Sequence, residues 1–124
     1  MSMSNPYQQY RQTMIMTASA PALVTMTMDA FLRELDLARQ ALAAQKWDHA
    51  HRSLTKAQEI VLTLQGALDE RTGDLAARLD AIYDYMYRRL VEANIKKDQA
   101  IVDEVRGLMN DLRDAWVQAS RLAG

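Results

Sequence analysis

Four stretches of this chain repeat apolar residues every three or four positions, and only a few residues of turn chemistry separate each stretch from the next. That spacing gathers apolar side chains onto one stripe of an α-helix and excludes the alternation a half-buried strand requires. The plainest series is Ala50, Leu54, Ala57, Val61, Leu64 and Leu68. A second runs through Leu75, Leu79, Ile82, Met86, Leu90 and Ala93, and a third through Ile101, Val105, Leu108, Leu112 and Trp116. The stretch before them carries two stripes, Leu23-Met26-Ala30-Leu37-Ala41 and Val24-Met28-Phe31-Leu35-Leu42. One stripe serves a core, and the second is left for something else.

The breaks predict helices over about 20–45, 48–69, 74–95 and 98–120. Ser19 is a candidate N-cap for the first, with Pro21 in its opening turn, and Asp48 and Asp98 are candidate caps further on. Asp69, Thr72, Gly73 and Asp74 supply a left-handed glycine to end one helix and an oxygen to cap the next. Lys96 and Lys97 suit the C-terminal dipole of the third helix. Connections this short force consecutive helices to run antiparallel. The expected fold is therefore all-α, an antiparallel up-down four-helix bundle over residues 19–120 preceded by a short N-terminal helical arm at 1–18. In the arm, Tyr7, Tyr10 and Met14 recur at helical spacing after Asn5-Pro6, and a helix that short must dock to be ordered.

Composition narrows the function. At 124 residues the chain suffices for one core, and 15 basic against 16 acidic residues give a net charge of −1, which offers no field for nucleic acid or anionic lipid. No cysteine is present, which suits a reducing cytoplasm. The least polar window, Met14 to Met28, falls short of the ~20 apolar residues of a membrane span, and too few uncharged residues precede Ala18-Ser19-Ala20 for a signal peptide. His49 and His51 are two apart and so point to different sides of a helix, whereas helical metal sites use three or four. Gly66, Gly73, Gly107 and Gly124 are isolated, so no phosphate loop is predicted. A binding protein without metal or cofactor is expected, not an enzyme. Asp84, Arg88 and Glu92 are spaced for a surface ion-pair network, and Arg89 is spaced to stack on Tyr85. Methionines cluster in residues 1 to 28 and suit a surface that repacks against helical partners. Gly107 points to close helix packing, or else to a place where a partner approaches.

Leu68 to Asn94 says most. Leu68-Asp69 and Gly73 precede a helix reading Ile82-Tyr83-Asp84-Tyr85-Met86, then Arg88-Arg89-Leu90 and Ala93-Asn94. This set resembles, without a gap, the hallmark of the flagellar secretion chaperone family FliS. There a Leu-Asp…Gly turn leads to Leu-Tyr-Asp-Tyr-Met, two basic residues, Leu and Ala-Asn. Asn5-Pro6-Tyr7-Gln8-Gln9-Tyr10 resembles the family's opening, and Thr17-Ala18-Ser19-Ala20-Pro21 resembles its Thr-Ala-Ser-Pro with the proline one place later. Asp114-Ala115-Trp116 echoes the family's ending. The departure is Met26-Thr27-Met28-Asp29-Ala30, where the family reads Met-Leu-Tyr-Asp-Gly.

The resemblance implies a cytoplasmic export chaperone whose apolar grooves bind the disordered C-terminal region of flagellin and prevent its premature polymerisation. It also implies delivery to the export gate protein FlhA and, for some members, binding of the anti-sigma factor FlgM. The expected partner-binding residues are Tyr7, Tyr10, Met14, Leu23, Met26, Met28, Tyr83, Tyr85, Met86, Arg89 and Asn94. Two other readings compete. One is a client-free helical module that homodimerises through its surplus apolar face, and the other is a divergent paralogue chaperoning another export substrate.

Overall fold

The computed structural model describes residues 20–123, which form α1 (Ala20–Ala43), α2 (Trp47–Gly66), a 3-10 turn (Glu70–Thr72), α3 (Asp74–Lys96) and α4 (Gln99–Ala123). The expected arm at 1–18 and the Ser19 cap lie outside the described residues. The helices close an all-α four-helix bundle in which α1 packs on α2, α2 on α3, α3 on α4, and α4 on α1. The α1–α2 edge is the most extensive of the four and the α3–α4 edge the sparsest. Cross-edge bonds fix the antiparallel sense. Gln65 Nε2 donates to Asp80 Oδ1 at 3.2 Å, while His51 Nδ1 and Asn94 Nδ2 meet at 2.8 Å at the other end of the α2–α3 edge.

The helix ends explain how so few connecting residues suffice. At the end of α1, Lys46 N–H donates to Ala41 O at 2.8 Å and Gln45 N–H to Leu42 O at 3.1 Å, with Gln45 at a φ of 58°. This is the Schellman arrangement, in which a left-handed residue satisfies the last carbonyls of the helix. Lys97 repeats it between α3 and α4, with Asp98 N–H donating to Ala93 O at 3.1 Å. Asp98 then caps α4 as expected, accepting the Ala100 N–H at 2.9 Å.

Two expected caps move. Asp48 lies inside the first turn of α2, which starts at Trp47, and so contributes charge to the dipole instead of a cap bond. Asp74 likewise opens α3 from within, and the side-chain oxygen that caps in this turn is that of Asp69, accepting the Arg71 N–H at 3.0 Å. Gly73 is the pivot of the turn. Its φ of 58° and ψ of −115° lie outside the left-handed helical well, in a region that side-chain-bearing residues avoid.

The core is drawn from one face of each helix: Phe31, Leu35 and Ala38 of α1, Leu54, Ala57 and Val61 of α2, Met86 and Leu90 of α3, and Val102, Val105 and Met109 of α4. The series expected on α2 is buried as read, with Leu68 packed at its margin. On α3 the stripe is rotated from expectation. Ala76, Tyr83, Met86, Leu90 and Ala93 turn inward, while Leu75 is 56% exposed and Ile82 37%. The cause is competition between two seven-residue pairs, Leu75/Ile82 and Ala76/Tyr83; the second faces the core. Leu108 of α4 and Leu37 of α1 also face outward, at 38% and 50%. Gly107 is exposed, and a methyl group built on it meets nothing within 4 Å, so close helix packing does not explain it.

Candidate partner-binding site

The two flanks of α4 differ in kind. Toward α1, Arg113 Nε donates to Asp29 Oδ1 at 2.5 Å, Arg106 Nε donates to Asp36 Oδ1 at 2.6 Å, and Arg39 pairs with Asp103. Along this ladder each step up α1 matches an equal step down α4. The Asp36 carboxylate holds the Arg106 guanidinium above its usual pKa. Trp116 Nε1 closes the same edge by donating to Pro21 O at 3.0 Å.

Toward α3 the polar contacts concentrate in one place. Tyr85 Oη donates to Glu104 Oε2 at 3.0 Å, and Arg89 Nε donates to Glu104 Oε1 at 2.8 Å. These charge-assisted bonds, with Arg89 first, hold the Glu104 carboxyl below its usual pKa, while the bond to Glu104 raises that of Tyr85. Arg89 and Tyr85 are thus joined through Glu104. Arg89 also pairs with Glu92, which receives Lys96 at 2.7 Å; Arg88 pairs with Asp84 at 3.1 Å and not with Glu92 as expected.

From this clasp toward the start of α3 the edge is apolar and open. Ala81, Ile82, Tyr85, Glu104 and Leu108 line a furrow of about 430 Å³. Leu75 stands two turns before Ile82 on the same side of α3, and Leu122 at the end of α4 is also exposed. An aromatic ring held at its rim by a hydrogen bond, with aliphatic walls beside it, suits the apolar face of a helical segment.

The expected site residues divide into three groups. Tyr7, Tyr10 and Met14 lie outside the described residues. Met28, Tyr83 and Met86 are sealed in the core, and burial pushes the Tyr83 phenol up to about 12. In this conformation a partner reaches them only if the bundle opens. Tyr85 and Arg89 stand at the furrow, Leu23 and Met26 are half-buried on α1, and Asn94 meets His51 and accepts from Lys97 Nζ at 2.9 Å. The structure therefore brings Tyr85 and Arg89 together, and sets Leu23 and Met26 on α1 and Asn94 on the side of α3 that meets α2.

Ile82, Leu108 and Glu104 were not anticipated as site residues. The first two had been assigned to the core stripe, and nothing in the spacing marks Glu104. The α1–α4 ladder did leave a signal: Asp29 and Asp36 are seven apart, as are Arg106 and Arg113. Among the described residues no group of three or more His, Cys, Asp or Glu is placed to hold a metal ion, and no helix is long and apolar enough to cross a membrane.

A helical bundle locked along one flank and left apolar along another belongs to the class of helical binding proteins. The family model for the flagellar protein FliS matches residues 3–123. The flagellar secretion chaperone FliS of Bacillus subtilis is 42% identical over 119 residues, covering 96% of this chain and 89% of that one. Its counterpart in Salmonella typhimurium is 35% identical over 111 residues, covering 88% and 82%. A solved bacterial flagellar chaperone superposes with a TM-score of 0.78 over 93% of this chain and 94% of that one, at 22% identity, and shares the fold. This chain belongs to the FliS family of flagellar secretion chaperones, and its role is that of a flagellar export chaperone.

Proposed function

We propose that the chain binds the C-terminal region of flagellin in the cytoplasm, keeps it from polymerising, and lays an apolar helix of that client along the α3–α4 furrow. The observation that carries this reading is the exposure of Leu75, Ile82, Tyr85 and Leu108 on the sparsest edge of the bundle. Contiguous apolar surface of this kind is the usual mark of a docking site, and a client that folds on binding gives up part of its interaction energy to ordering. That cost, about 2–5 kcal/mol, keeps the complex releasable. Delivery to the export gate protein FlhA, and binding of the anti-sigma factor FlgM, belong to the same proposal through the family alone.

The partner-facing set comprises Tyr85 and Arg89 at the furrow, Leu23 and Met26 on α1 and Asn94 on the α2 side of α3, all three away from it, and Tyr7, Tyr10 and Met14 from the arm. Met28, Tyr83 and Met86 join this set only as supports beneath it. Calorimetry with a flagellin C-terminal peptide tests the reading, with Ile82→Glu/Leu108→Glu as the variant that removes the furrow. Binding that survives in the variant would refute the furrow as the site. Removing residues 1 to 16 is expected to change the affinity, and an unchanged value would dismiss the arm. A tight dimer in sedimentation, indifferent to the peptide, would favour the client-free module instead.

A further inference from the structure

On the edge of the bundle opposite the client furrow, α1 and α2 enclose a second furrow of about 410 Å³ with different chemistry. Its α2 side presents Lys46, Arg52 and Lys56, and among the described residues none of the three has a carboxylate partner within 4 Å, whereas the cations of the α1–α4 and α3–α4 edges, Arg39, Arg89, Arg106 and Arg113, all do. Its α1 side presents Leu37 and Ala44 with Gln40 between them and Ala41 buried at the floor, Leu37 being half exposed. The one acid in the lining is Glu34, whose carboxyl is raised mainly by burial and drawn back by Lys56 and Arg33. In a chain whose net charge is −1, a local excess of unpaired cations is a departure that folding does not require.

We infer that the α1–α2 furrow docks an amphipathic helical segment of a protein partner, acidic along the edge that meets Lys46, Arg52 and Lys56 and apolar where it meets Leu37, Ala41 and Ala44. Two features fix this occupant. The cationic row and the apolar row run side by side on neighbouring helices, as the two edges of one amphipathic helix would. The cations are few and sit in a furrow, whereas a nucleic-acid backbone or an anionic bilayer calls for a broader basic surface. Because this edge lies across the bundle from α3–α4, the segment docks with the client still in place. Only this compatibility rests on the flagellin reading; the docking itself stands apart from it.

The test is a titration of the isotope-labelled full chain with a synthetic two-heptad peptide carrying glutamates on one edge and leucines on the next, alongside its lysine-for-glutamate twin. Amide shifts are expected around Leu37, Ala41, Arg52 and Lys56 with the acidic peptide only, and the affinity is expected to fall as salt rises. Arg52→Glu/Lys56→Glu changes two exposed side chains, so the thermal midpoint should hold while affinity drops about tenfold or more. Glu34→Gln removes the one opposing charge and should tighten binding about two- to threefold. Shifts centred on Ile82 and Leu108, equal binding of the lysine twin, no binding, or an affinity unmoved by the charge reversals would each overturn the inference. So would duplex DNA or anionic vesicles binding at these residues in preference to the peptide.

Discussion

Met109 and Leu108 are neighbours on α4, yet one belongs to the locked side of the bundle and the other to the open side. Met109 is fully buried, while Leu108 borders the α3–α4 furrow. The α1 flank of the same helix holds Arg106 and Arg113 on aspartates of α1, and the α3 flank holds Glu104 in a single clasp. The contrast teaches that stability is drawn from one face of this helix, while the face proposed for partner binding is another. A chaperone can then present apolar surface without loosening its own fold.

The comparison is broken most directly by truncating each neighbour. Met109→Ala is expected to cost about 2–5 kcal/mol in denaturant unfolding, from lost burial and the cavity left behind. Leu108→Ala should cost less than about 1 kcal/mol, and equal losses would mean that the furrow is part of the core. Next in size is the effect of Leu108→Glu on affinity for a flagellin C-terminal peptide, expected to be about tenfold or more, or ~1.4 kcal/mol, with the unfolding midpoint little changed.

Gly107 sharpens the contrast from the solvent side. Since an added methyl meets nothing, Gly107→Ala should stabilise the protein by up to about 1 kcal/mol through helix propensity alone. A loss of stability would show that the position is crowded after all.

Smaller still is the Asp36–Arg106 pair, both of whose side chains are more than a third exposed. A double-mutant cycle with alanine should return about 0.5 kcal/mol, shrinking at high salt. A coupling of several kcal/mol would make the ladder, not the core, the source of rigidity.

The clasp on the open flank has a pH signature. Because the folded-state pKa of Glu104 is depressed, its contribution is fully present above the unfolded carboxylate pKa of about 4.3 and is lost as pH falls through the lower folded value. The stability gap between the wild type and Glu104→Gln should therefore be open at neutral pH and narrow in acid. A gap that is constant with pH would remove Glu104 from the account.

How much of this was legible in the sequence depends on how evenly each helix is coated. On α2, polar residues flank the series from Ala50 to Leu64, so the period alone picks the buried face, and it is the face found. On α3, apolar residues cover more than half of the circumference. Leu75 and Ile82 compete there with Ala76 and Tyr83 at the same seven-residue interval, and only the positions of α2 and α4 decide which pair turns inward. Tyr85 is not in the stripe expected to face the core, and it is exposed. Its hold on Glu104, nineteen residues away, was not legible, because spacing on one helix carries no information about the register of the next. Helix ends shifted by up to three residues, and the one-residue earlier start of α2 turned Asp48 from a cap into a first-turn charge.

Gln45 and Lys97 both occupy a backbone well that suits glycine, at the two tightest corners of the bundle. Each position holds a small reserve of unused robustness, on the order of 1 kcal/mol, that Gln45→Gly or Lys97→Gly would release. Lys97 carries a hydrogen bond to Asn94 that its replacement forfeits, so Gln45 is the cleaner choice. A hardened scaffold of this kind would let surface variants too fragile to purify in the parent background be compared on equal terms.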